Sequence, residues 1–77
     1  MNRMEMIQVT MAHWRQYHPE SYKTLKAEGR LEKEAAACAD LTLMEMSVLQ
    51  KTHGMGATEA WQESRDLFCL KDPMATA

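Results

Sequence analysis

Five side chains have metal-ligating chemistry: His13, His18, Cys38, His53 and Cys69. A structural zinc site draws ligand pairs at C-x2-C or H-x3-H spacing, because two donors must reach one ion from one turn. No such pair occurs here. His13 and His18 are five apart and flank a helix break. Cys38 lies in an Ala-rich apolar stripe, where a free thiol behaves as a small hydrophobe. A Cys–His dyad needs proximity and an activating charge, and the spacing supplies neither. Glu32, Glu34, Asp40 and Glu45 fall on different faces of one helical stretch, so they do not pair as acid and base. Gly54 and Gly56 lack the G-x4-G-K-[ST] frame of a phosphate loop. The expectation is a protein without catalytic, metal or cofactor sites.

Side chains that bind rather than react remain. The aromatic residues are Trp14, Tyr17, Tyr22, Trp61 and Phe68. Most must build the core of so small a chain, while Trp14 and Tyr17 are amphipathic enough to anchor an interface.

The elements that carry these groups are helical. Met4, Ile7, Met11 and Trp14 recur at 3–4–3 spacing and predict a first helix over about 4–17. It must stop near His18, since a residue before proline disfavours helical geometry. Pro19 is preset for the first position of a second helix, about 19–28, with Tyr22 and Leu25 on its apolar side. Gly29 ends it by taking the left-handed conformation. Stop and restart together predict a helical hairpin.

The third helix is the long one, about 31–52. Leu31, Ala35, Cys38, Ala39, Met46 and Leu49 fall on one face. Ala37, Leu41, Met44 and Val48 form a second apolar stripe. A helix with two apolar stripes has neighbours on two sides. Either both stripes are covered within the monomer or one meets a second chain. Replacing Leu41 or Val48 by Asp should break a dimer in the second case and unfold the monomer in the first. His53 to Gly56 break the helix, and Thr58 is the expected N-cap of a fourth, about 59–70, with Trp61, Ser64, Leu67 and Phe68 buried. Pro73 stops it, and the tail 73–77 should fray.

Length and composition set the limits. Seventy-seven residues make one domain, 1–77, with 45% apolar residues, three Gly and two Pro, against disorder and against a turn-rich β fold. Eight Met residues suit irregular packing and changing partners. Net charge is −2, so no general attraction to nucleic acid follows. The halves differ: residues 1–33 carry six Lys/Arg against four Asp/Glu, and residues 34–77 three against seven. The longest apolar run, Ala35–Ala39, is far short of the roughly 20 residues that span a bilayer. With no apolar leader and two lone cysteines, a cytoplasmic protein is expected.

The 19–35 segment imitates a helix–turn–helix, which would insert the first turns of its second helix into the major groove. Those turns read Arg30, Leu31, Glu32, Lys33, Glu34, and the two glutamates repel phosphate. Arg15, Lys23, Lys26, Arg30 and Lys33 keep DNA binding as the alternative.

Between Trp14 and Thr58 the chain reads His18-Pro19, Tyr22, Leu25, Gly29 and Leu31, then a long acidic helix. Towards the end come Glu59-Ala60-Trp61, Phe68 and Pro73. The first pattern resembles small phage and mobile-element proteins of the transposon-encoded TnpV type, and the second is similar to short phage proteins. The resemblance implies a phage, prophage or transposon origin and carries over no functional residues.

The combined expectation is an all-α bundle of three to four helices around one long central helix. Its function would be protein binding: the partner is a host, defence or phage protein, inhibited in the anti-CRISPR manner in one concrete version, or a second copy in a homodimer. A self-associating structural component is a further alternative. The candidate interaction surface is Trp14, Tyr17, Asp40, Leu41, Met44 and Val48.

Overall fold

The computed structural model describes residues 2–74. They form four helices and no strand: α1 (Arg3–Tyr17), α2 (Pro19–Ala27), α3 (Leu31–His53) and α4 (Ala57–Phe68). The small all-α bundle around a long central helix is therefore correct.

Local chemistry explains each boundary. Asn2 caps α1, its side chain accepting from the Glu5 N–H at 2.8 Å, with Glu5 in the first turn and Arg15 in the last. Pro19 opens α2 at its first position. Gly29, at φ +69°, closes it. Its N–H donates to Lys26 O at 3.1 Å and the Arg30 N–H to Leu25 O at 2.9 Å, the paired bonds of a Schellman ending. Gly54, at φ +65°, closes α3 in the same left-handed region. The cap of α4 is Gly56 rather than Thr58. The extended backbone of Gly56 already starts the helix, its carbonyl accepting from the Ala60 N–H at 3.0 Å, so Thr58 lies exposed in the first turn. As a result α4 begins and ends two residues earlier than its apolar spacing suggests.

α3 is the spine. It packs against all three other helices, while α1 and α4 do not pack on each other. At about 1.5 Å per residue it spans roughly 34 Å, most of the 40 Å long axis. The predicted hairpin is a different object: α2 leans on α1 more than on α3.

The core is formed by Met6, Ile7, Trp14, Leu25, Ala35, Ala39, Met46, Ala60, Trp61 and Cys69. On α1 the buried face is Met6, Ile7, Thr10 and Trp14; Ile7 and Trp14 of the predicted stripe are inside, Met11 is half-buried against the core, and Met4 is exposed. Thr10 is tolerated inside because its hydroxyl donates to Met6 O, one turn back, at 2.7 Å. Thr42 on α3 is likewise fully buried. Its hydroxyl donates to Cys38 O at 2.9 Å and stands 3.1 Å from Cys69 Sγ. On α4, Ala60, Trp61 and Ser64 are buried, while Leu67, expected inside, is exposed.

The segment after α4 folds back over the α1–α2 elbow. Trp14 Nε1 donates to Lys71 O at 3.0 Å, and Ser21 Oγ donates to Asp72 Oδ1 at 2.6 Å. Asp72 Oδ1 also accepts from the Met74 N–H at 3.0 Å, so the chain at 73–74 is held in a turn. The rest of the expected frayed tail, 75–77, lies outside the described residues.

Candidate interaction surface

Successive helical residues turn by roughly 100°. Ala35, Ala39, Thr42 and Met46 therefore share one side of α3, and all four are buried. Ala37, Leu41, Met44 and Val48 share the far side, and all four are exposed. Leu41 is 47% exposed, Met44 67% and Val48 53%. The second apolar stripe is thus not covered within the monomer. No described element of the chain packs over it, because α1 and α4 both approach α3 from its buried side and flanks.

The other sequence-predicted surface residues divide. Trp14 is a correction: it is 0% exposed and belongs to the core. Its indole N–H has an internal acceptor in Lys71 O, which satisfies the one polar atom that would otherwise favour an interface. Tyr17 is exposed, with its ring centroid 4.6 Å from that of His13. It does not join the α3 row. Arg3, at the start of α1, is bonded to Asp40, and Tyr17 lies about 21 Å further along the same helix. Asp40 flanks the row, but it is not a free acidic determinant. Arg3 Nε and Nη2 grip its two oxygens at 2.7 and 3.3 Å. This hydrogen bonding holds the Asp40 carboxyl below the usual carboxylate range.

Two residues at the ends of the row were missed. Glu34 and Lys51 continue the 4–3–4 spacing outward by one step each. Glu34 is bonded to Arg30 at 3.1 Å, and Lys51 has no ion-pair partner among the described residues. The heptad register that starts at Ala37 was the available signal.

A second feature sits at the α1–α2 elbow. A cleft of about 450 Å³ is lined by Arg15, Pro19, Tyr22, Lys23 and Lys26. Lys26 Nζ lies 6.0 Å from the Tyr22 ring centroid, and none of the three cations is ion-paired among the described residues. Arg30 is different, since Glu28 holds it at 2.9 Å and Glu34 at 3.1 Å.

Reactive chemistry is disfavoured at Cys38. Burial, then the neighbouring Cys69 and Glu34, push its thiol up to about 11, so it is not a thiolate near neutral pH. His13 and His18 are closer than their separation implies, with ring centroids 5.7 Å apart. Among the described residues no three of His, Cys, Asp and Glu converge as a metal would need. No described helix is long and apolar enough to cross a membrane.

Comparison with known proteins returns no relative. No family model matches this chain, and neither a curated protein nor a solved structure does.

Proposed function

We propose that this chain is a non-enzymatic protein-binding module that docks the outer face of α3 on another polypeptide. The observation that carries the reading is the continuous row Ala37, Leu41, Met44 and Val48, left open to water. Fully burying one large apolar side chain is worth roughly 1.5–3 kcal/mol, so a partner covering three of them gains several. In its concrete form the module is of phage or mobile-element origin and inhibits a host or defence protein. The acidic 34–77 half supports a basic partner surface, and Glu59 and Glu63 are exposed there without ion pairs among the described residues. The free thiols Cys38 and Cys69 support a reducing compartment, the cytoplasm.

A photo-crosslinking residue at position 44, expressed in cells, tests this. Adducts should form there and not at exposed Glu20 on α2. Equal labelling at both positions, or none at 44, rejects the reading.

The elbow cleft favours a second reading, binding of a nucleic acid. Its support is the three cations around Tyr22, none of them ion-paired among the described residues. Salt-sensitive retardation of duplex DNA, lost in Lys23→Ala/Lys26→Ala, would favour it; free migration at low salt would remove it.

A further inference from the structure

We propose that the partner covering the outer face of α3 is a second copy of this chain, bound antiparallel about a two-fold axis between Thr42 and Leu43. The inference rests on the docking reading above, and for the outer face of α3 it takes a second copy, rather than a host or defence protein, as the occupant. Its first support is spacing. Ala37, Leu41, Met44 and Val48 stand at 4–3–4 intervals, the seam of a two-helix coiled coil. A two-fold pair is self-complementary, so each contact occurs twice. The stated axis sets Ala37 against Val48 and Leu41 against Met44, which matches small to branched and long to flexible.

Charge then selects the orientation. In the antiparallel pair Glu34 of each copy faces Lys51 of the other, at both ends of the seam. Asp40 comes beside Ser47, and Glu45 beside Cys38, so no like charges meet. A parallel, in-register pair does the reverse. It sets Glu34 on Glu34, Lys51 on Lys51 and Asp40 beside Glu45 on both flanks. Asp40 is already satisfied by Arg3, and Lys51 lacks an ion pair among the described residues. The pairing therefore uses Lys51, which is unpaired among the described residues, leaves the internal Arg3–Asp40 bridge intact, and has Lys51 share Glu34 with Arg30.

Size sets the strength. From Ala37 to Val48 is roughly 16 Å of helix, and four side chains per copy fall short of the about 800 Å² per partner of a standard interface. The dimer should be weak, with a dissociation constant on the order of 100 µM.

Sedimentation equilibrium of the full chain, from about 10 µM to about 1 mM, decides it. The mass should rise from 8.8 kDa towards twice that value. Met44→Asp should hold it at the monomer with an unchanged circular dichroism spectrum. Lys51→Glu should weaken the dimer about tenfold, and Glu34→Lys/Lys51→Glu should recover most of that loss, which only the antiparallel pairing predicts. A wild-type chain that stays monomeric at about 1 mM overturns the proposal, and a Lys51→Glu variant that dimerises undiminished overturns the orientation. If the wild type is monomeric while position 44 crosslinks to a different protein, the docking reading survives and the second-copy inference falls. If neither occurs, both fall.

Discussion

The Trp14 indole donates to the carbonyl of Lys71 at 3.0 Å, across 57 positions of chain. This bond ties the segment after α4 to α1, two elements whose helices do not pack together. It also places the largest fully buried side chain where the end of α1 meets the segment after α4. Trp14→Phe should keep most of the packing but leave a carbonyl without its donor, costing about 1–3 kcal/mol. Trp14→Ala adds a cavity and should cost about 3–5 kcal/mol. Urea denaturation of both variants measures the split, and an equal, small loss in the two would refute this role.

Val48 and Ala39 make a matched test of the two faces of α3. Val48→Asp changes an exposed position and should alter stability by no more than about 0.5 kcal/mol. Ala39→Asp buries an unpaired charge at a 0% exposed position and should prevent folding. Thermal melts of the two variants check this. Unfolding by Val48→Asp would mean that its face is internal.

Ser64 Oγ is buried without a hydrogen-bond partner among the described residues. Ser64→Ala removes that unsatisfied hydroxyl and installs a better helix former. A gain of about 1 kcal/mol in chemical denaturation is expected. A loss of similar size would show that the hydroxyl is satisfied in solution.

Asp72 gives the acid response a location. Its carboxylate accepts from the Ser21 hydroxyl first, then the Met74 N–H, with His18 nearby, and these hold it below the usual carboxylate range. A lowered folded value means stability is fully present above the unfolded value of about 3.9. It is lost as pH falls through the folded value. Asp72→Asn should therefore melt lower than wild type at neutral pH, and the gap should narrow below about pH 4. A gap that stays constant down to the lowest pH would reject Asp72 as a source of the acid sensitivity.

Much of this fold is written in short-range chemistry. Pro19, Gly29 and Gly54 act through their own backbone preferences and their immediate neighbours, so helix breaks were legible at each of them. The length of α3 follows in the same way from an uninterrupted run of good helix formers. The second stripe of α3 was also legible, since Ala37, Leu41, Met44 and Val48 share a face by spacing alone. What spacing leaves open is which apolar face is covered, because burial depends on where distant elements pack. Trp14 can lie inside because the chain around Lys71 returns to accept its N–H. Leu67 stayed outside because α4 presents Ala60, Trp61 and Ser64 to α3 instead. Thr10 and Thr42 were polar by type and core by position, each made tolerable by a carbonyl one turn back. Helices are set by neighbours along the chain, whereas the choice between core and surface is made by contacts that exist only after the chain has closed on itself.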